Sequence, residues 1–174
     1  QRRAAAGRCV VVAVEGGLLG FDDMLLEVLS QLRGERVSAQ DLPGRYERMS
    51  ELKSVLATHV VPTDRHVLLL LDEADRYEPG TLEAIGSLPN LASDQRTYVV
   101  PVFCGLPALL PKLGRLASLQ QRIGARYELQ PLDATDSAGY VQQRLRNAGL
   151  EGRHLLEPRV SAGLHHLSGG VPRV

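Results

Sequence analysis

The chain has 174 residues, of which 44% are hydrophobic, enough for one domain with a proper core and a small additional unit. Lysine plus arginine equals aspartate plus glutamate at 20 each, so no net charge attracts the chain to nucleic acid or to a membrane surface. No apolar stretch approaches the length of a membrane-spanning helix, which disfavours an integral membrane protein.

Strands and helices alternate through the first part of the sequence. Residues 9–14 form a predicted buried strand, and the helical spacing of apolar residues predicts a helix from about residue 24 to residue 32, capped by Asp22 or Asp23. A second amphipathic helix is predicted from about Tyr46 to Val60. Val67 to Leu71 are five consecutive aliphatic residues, and this run without alternation favours a strand buried on both faces of a parallel sheet.

The pattern changes from mixed to helical in the last quarter of the chain. A short helix at residues 82–88 is followed by a β-favouring run at residues 97–104, in which Pro101 is awkward for a central strand. Short helices ending near residues 110 and 123 and a last strand at residues 125–129 complete the predicted core. Only helices are predicted beyond Pro131. We therefore predict an α/β core in residues 1–130 and a helical subdomain in residues 131–174.

Two cysteines, Cys9 and Cys104, each lie in a Val-rich run that resembles a buried strand. Two buried thiols in a reducing compartment are favoured over a disulfide. This observation agrees with a cytoplasmic location.

Two carboxylates, Asp72 and Glu73, follow the aliphatic run directly. Acidic residues at the carboxyl end of such a strand lie where open α/β sheets bind ligands. The pattern is that of a Walker B motif, in which Asp72 holds Mg²⁺ through water and Glu73 polarises the attacking water in nucleotide hydrolysis. The alternative interpretation is that Asp72 caps the next helix or that both acids belong to a solvated surface.

Further segments follow this motif in a definite order. They are Leu88-Pro89-Asn90-Leu91, Val102-Phe103-Cys104-Gly105-Leu106-Pro107-Ala108-Leu109, Leu119-Gln120-Gln121-Arg122-Ile123, Tyr127-Glu128-Leu129-Gln130-Pro131-Leu132, Tyr140-Val141-Gln142-Gln143-Arg144-Leu145 and Ser168-Gly169-Gly170-Val171-Pro172-Arg173. Together with residues 68–74 they cover most of the chain. Their order and spacing resemble the AAA+ ATPases, in particular the general secretion pathway A proteins and related pilus-biogenesis and transposition ATPases.

The resemblance implies a three-layer, P-loop NTPase-like core, a partial helical lid, and ATP and Mg²⁺ as cofactors. Arg173 is similar to the lid arginine that reaches the γ-phosphate, a task suited to the planar guanidinium. Arg122 matches the arginine finger that a subunit presents to its neighbour, which implies a homo-oligomer. Arg115 and Arg126 are nearby alternatives for that finger.

The sequence departs from the family pattern at the phosphate loop and at one sensor position. No Gly-x-x-x-x-Gly-Lys-Ser/Thr is present, and the glycine-rich turn at residues 14–22 lacks the lysine and the hydroxyl. Either the phosphate loop lies before Gln1 in a longer protein, or it has degenerated and the protein is a non-catalytic pseudo-ATPase. Leu106 stands where relatives carry a polar sensor residue, and leucine cannot donate a hydrogen bond.

The resemblance implies an ATP-binding and ATP-hydrolysing module whose nucleotide state drives assembly of a larger machine. It implies a protein partner in an envelope secretion or pilus apparatus, with a cytoplasmic location that reaches the inner face of a membrane through other parts of the protein. The alternatives are a non-catalytic interaction module and a regulator of DNA transposition or replication, and the latter would bind DNA in a strongly salt-dependent way.

Overall fold

The structure is a computed structural model that describes residues 9–91, 97–150 and 157–172. The chain divides into two units, Gln1–Gly124 and Ala125–Val174. No helix among the described residues is long and apolar enough to cross a membrane.

A three-stranded parallel sheet forms the centre of the first unit, in the order β1-β2-β3. The strands are β1 (Cys9–Val14), β2 (His66–Leu71) and β3 (Val99–Phe103). Val12 is aligned with Leu69, and Leu69 with Pro101. The parallel α/β core predicted from alternating strands and helices is confirmed.

Helices connect these strands, and short 3-10 turns also occur at Val61–Thr63, Ala74–Arg76 and Leu88–Leu91. The helices are α1 (Phe21–Arg33), α2 (Arg45–Val55), which continues into a π-helical turn (Leu56–Val60), α3 (Pro79–Ser87), α4 (Leu109–Gly114) and α5 (Ala117–Gln120) in the first unit, and α6 (Ala134–Asn147) and α7 (Pro158–Ser168) in the second.

Two local predictions were wrong. The N-cap of α1 is Gly20 without a side-chain cap, and Asp22 and Asp23 lie in the first turn, where their charges favour the helix N-terminus. Residues 125–129 form no strand, and Tyr127 and Leu129 are 87% and 86% exposed. A strand needs a hydrogen-bonded neighbour, and none of the described strands pairs with this segment.

Among the described residues of the first unit, one face of the sheet is buried and the other is more exposed, whereas β2 was predicted to be covered on both sides. Val67, Leu69 and Leu71 are buried, whereas the intervening Leu68 and Leu70 are half-buried. On the same side as Leu68, Val11 of β1 is 54% exposed and Val100 of β3 is 41% exposed. The described residues of this unit therefore form two layers, where three were expected.

The connectivity explains why the helices share a face. Parallel crossover connections are right-handed in nearly all proteins. Because β1, β2 and β3 are added side by side in one direction, right-handed crossovers place both connections on the same side of the sheet. The core there combines strand residues with apolar residues of α1, α2 and α3, including Met24, Leu25, Leu29, Leu52, Leu82 and Ile85.

Tyr77 is fully buried in this core, and its hydroxyl has no hydrogen-bond partner among the described residues. Burial raises the pKa of Tyr77 above 10.0. Leaving a buried hydroxyl unpaired costs about 1–3 kcal/mol. We expect Tyr77→Phe to raise the free energy of unfolding by about 1 kcal/mol in a urea titration at neutral pH.

A matched control and a pH series test this interpretation. Tyr46 is 82% exposed, so Tyr46→Phe should leave stability unchanged. Because folded Tyr77 holds its proton more tightly than the unfolded chain does, its contribution to stability should fall as the pH rises above about 10. In the Tyr77→Phe variant, the part of the loss of stability at alkaline pH that comes from Tyr77 should be absent. A less stable Tyr77→Phe variant would show that the hydroxyl makes a favourable interaction.

The second unit contains α6 and α7. The carboxylate of Asp133 accepts the backbone N–H of Asp136 at 2.8 Å and caps α6. Ser137 Oγ of α6 lies 2.9 Å from His165 Nδ1 of α7. The N–H of Leu132 donates to the carbonyl of Gly170 at 2.9 Å, which fastens the segment before α6 to the segment after α7.

Candidate functional site

The turn that follows β2 lies between the carboxyl ends of β1 and β3. The N–H of Asp72 donates to the carbonyl of Val14 at 3.1 Å, and the N–H of Ala74 donates to the carbonyl of Cys104 at 2.7 Å. These backbone bonds attach the turn to both neighbouring strand ends. The two predicted carboxylates therefore lie at the sheet edge where open α/β folds bind ligands.

Asp72 and Glu73 are both exposed on this turn. Oδ1 of Asp72 accepts the N–H of Glu73 at 2.8 Å. Among the described residues, no group of three or more His, Cys, Asp or Glu side chains is arranged to hold a metal ion. An isolated exposed carboxylate suits Mg²⁺, which keeps several waters and uses one or two protein carboxylates with phosphate oxygens.

Glu73 has an unusual backbone conformation and a charged partner. Its φ of 50° and ψ of 38° are left-handed, which is uncommon for a residue with a side chain. Nη1 of Arg76 lies 2.7 Å from Oε2 of Glu73, and both side chains are about half exposed. The carboxylate predicted to polarise water is thus held by an arginine three residues later.

Gly17 supports this turn from the loop that follows β1. A Cβ atom at residue 17 would lie 2.2 Å from the carbonyl oxygen of Glu73 and 2.8 Å from Cβ of Arg76. No side chain fits in that space. The glycine-rich loop that was the only candidate phosphate loop in the sequence therefore packs against the carboxylate turn through Gly17.

A second set of contacts joins the carboxylate turn to the segment after β3. Oδ1 of Asp75 accepts the N–H of Leu106 at 2.9 Å, and a Cβ atom at Gly105 would lie 2.7 Å from the same oxygen. Lys112 Nζ of α4 donates to the carbonyls of Asp75 and Tyr77. The side chain of Leu106 is exposed and offers no hydrogen bond at the position where a polar sensor residue was expected.

Four residues of this site were not predicted from the sequence: Gly17, Asp75, Arg76 and Lys112. Asp75 and Arg76 directly follow the recognised motif, so their proximity was a usable signal. The roles of Gly17 and Lys112 depend on contacts between distant segments, which no local pattern indicates.

Of the predicted arginines, Arg122 and Arg115 belong to the same unit as the two carboxylates. Nη1 of Arg122 lies 3.5 Å from the carbonyl of Gly86, and no described contact links it to Asp72 or Glu73. Arg115 is exposed at the end of α4, and Arg126 is exposed in the second unit. Arg173 lies outside the described residues. The two thiols are free, and Cys104 is exposed where a buried residue was predicted.

An open cleft of about 470 Å³ lies beside the first turns of α1 and α3. Nε of Arg45 donates to Oδ1 of Asp22 at 2.8 Å, and the guanidinium carbon lies 5.2 Å from the centre of the Phe21 ring. The hydrogen bond from Arg45 lowers the pKa of Asp22, although partial burial opposes the effect. These contacts fasten the start of α2 to the start of α1.

One curated protein with a clear similarity to this chain is General secretion pathway protein A of Aeromonas hydrophila, which is 40% identical over 109 residues. The match covers 62% of this chain and 20% of the relative, so it spans about a fifth of that protein. No family model and no solved structure matches the chain. The similarity supports the resemblance to the general secretion pathway A proteins inferred from the segments above.

Proposed function

We propose that this chain is part of an ATP-binding and ATP-hydrolysing AAA+ module whose nucleotide state drives assembly of a secretion-related machine. The observation that most supports this proposal is an apolar sheet face, left uncovered by the described residues of the first unit, beside the exposed carboxylates of Asp72 and Glu73. The similarity to General secretion pathway protein A supports the secretion-related role and a protein partner in such an apparatus.

The uncovered face is where a preceding strand–helix unit would pack. A strand that precedes β1 and pairs with the open edge of β3 would reverse the direction in which strands are added. Its right-handed connection to β1 would then cross the face that contains Val11, Leu68 and Val100. Ligands bind where the strand order reverses, and that point would lie beside the end of β3 and the carboxylate turn. A phosphate loop in this unit would complete the site.

The open edge of β3 can accept such a strand. The N–H of Val67 donates to the carbonyl of Tyr98, and the N–H of Cys104 donates to the carbonyl of Leu71, so even-numbered residues of β3 face β2. Val99, Pro101 and Phe103 therefore direct their backbone groups to the open edge. Pro101 lacks one donor there, which costs a single ladder hydrogen bond of about 1 kcal/mol. Adding the strand to β1 instead would leave the apolar face uncovered.

In this proposal each site residue has a defined task. Asp72 binds Mg²⁺ through water, and Glu73 accepts a hydrogen bond from the attacking water. Arg122, on the exposed surface after α5, stabilises phosphoryl charge in the neighbouring subunit of a homo-oligomer, and Arg173 contacts the γ-phosphate from the helical lid. ATP supplies the phosphoanhydride bond that is hydrolysed.

The test compares this chain with a version extended upstream of Gln1. Only the extended protein should bind Mg²⁺·ATP, seen by calorimetry and as a raised melting temperature, since a ligand that binds only the folded state stabilises it. Glu73→Gln should keep this binding and lower kcat by about 100-fold or more, because it removes the group that orients water. Activity is measured as release of inorganic phosphate.

Glu35→Gln in the extended protein is the matched control, because Glu35 is exposed and lies far along the chain from the carboxylate turn. The kcat of this variant should equal that of the unaltered extended protein. If neither version binds nucleotide, the ATPase proposal is wrong, and the protein is a non-catalytic module. Binding without hydrolysis in the unaltered extended protein would reject the catalytic role of Glu73 and retain only nucleotide binding.

A further inference from the structure

We propose that Arg76 is a positioning residue that restrains the carboxylate of Glu73 and limits its use in hydrolysis. The inference rests on the proposed function. It is based on the ion pair of 2.7 Å between Nη1 of Arg76 and Oε2 of Glu73, together with the left-handed backbone of Glu73. Nothing in the sequence motif itself requires an arginine at residue 76.

The backbone of the turn that contains both partners of the ion pair is held in place. The N–H of Arg76 donates to the carbonyl of Glu73 at 2.9 Å, and a Cβ atom added at Gly17 would lie 2.8 Å from Cβ of Arg76. Arg76 is therefore anchored at its base. Glu73 has a left-handed backbone conformation, which costs free energy for any residue that has a side chain. Such strained residues cluster at switch regions and active sites. With the backbone of the turn in place, the carboxylate of Glu73 can leave the ion pair by rotation of its half-exposed side chain.

The ion pair competes directly with the task assigned to Glu73. A carboxylate orients water by accepting its hydrogen bond, and an oxygen bonded to a guanidinium is less available for that bond. While Oε2 is held by Arg76, the side chain also lies along its own turn between residues 73 and 76. Release of the ion pair frees the carboxylate to face a ligand at the sheet edge.

The expected effect is modest because both side chains are about half exposed. Exposed ion pairs are weak, so the restraint delays hydrolysis without preventing it. We expect Arg76→Met in the extended protein to raise kcat about two- to fivefold, where fivefold corresponds to about 1 kcal/mol. KM for ATP should stay unchanged, since Arg76 is not proposed to contact the nucleotide.

Three further variants separate restraint from a structural role. Arg76→Lys keeps a positive charge near Glu73 and should have a kcat close to that of the unaltered protein. Arg76→Met combined with Glu73→Gln should be no faster than Glu73→Gln alone. Arg33→Met breaks an ion pair of similar length, 2.6 Å to Glu51, between α1 and α2, and should lose a little stability with unchanged kcat.

A lower or unchanged kcat for Arg76→Met would overturn the inference, because a restraint must release activity when it is removed. A rise in kcat that persists in the Glu73→Gln background would also overturn it, since the effect would not act through Glu73. Absence of hydrolysis in the unaltered extended protein is a separate outcome. It rejects the proposed function, and this inference with it, before any arginine variant is compared.

Discussion

Leu69→Ala should lower the free energy of unfolding by about 3–4 kcal/mol, whereas Leu68→Ala on the same strand should cost about 1 kcal/mol. Leu69 is 0% exposed in the core beneath the sheet. Leu68 is half-buried on the opposite face, where neighbouring Val11 and Val100 are 54% and 41% exposed. Chemical denaturation of the two variants measures the difference between the faces directly, because residue type and strand are identical.

The same pair of variants tests the proposed preceding unit. If a helix covers the second face in the extended protein, Leu68→Ala should become more costly there, by about 1–2 kcal/mol, while the cost of Leu69→Ala stays the same. An unchanged cost of Leu68→Ala would place the additional residues elsewhere. Equal costs for both leucines in the present chain would contradict the one-sided burial of the sheet.

The β2 strand shows what a hydrophobic run can and cannot predict. The aliphatic run from Val67 to Leu71 led to the correct prediction of a parallel strand followed by two carboxylates. Residue type alone is enough to indicate such a strand. The prediction of burial on both faces was wrong for the described residues. A continuous apolar run indicates that both faces of a strand are suited to burial. Whether a helix covers each face depends on the connections between other segments of the protein.

The candidate site shows a similar division. The positions of Asp72 and Glu73 at the end of β2 followed from the motif. The contact of Arg76 with Glu73 occurs in a turn where residue 73 has a left-handed φ of 50°, a conformation that no residue type there indicates. The predicted strand at residues 125–129 failed because alternating Tyr127 and Leu129 have the right pattern but no described neighbouring strand.

Gly17→Ala should destabilise the first unit by about 2–3 kcal/mol, because the added methyl group must displace backbone. Its Cβ would lie 2.2 Å from the carbonyl oxygen of Glu73, closer than any normal contact, and 2.8 Å from Cβ of Arg76. A flexible side chain could move aside at little cost, but the Glu73 carbonyl belongs to a turn whose neighbour Ala74 is bonded to Cys104 at 2.7 Å. Urea titration of the variant measures the loss.

Gly80→Ala is the matched control in the same unit. A Cβ atom at residue 80 would have no heavy atom within 4 Å, and Gly80 lies in the first turn of α3. Gly80→Ala should therefore leave the free energy of unfolding unchanged or raise it by up to about 1 kcal/mol. Near-normal stability of Gly17→Ala would show that the loop after β1 can move away from the carboxylate turn. Because that turn sets the position of Glu73, the tight packing at Gly17 makes the loop after β1 part of the site's framework even though it lacks the residues of a phosphate loop.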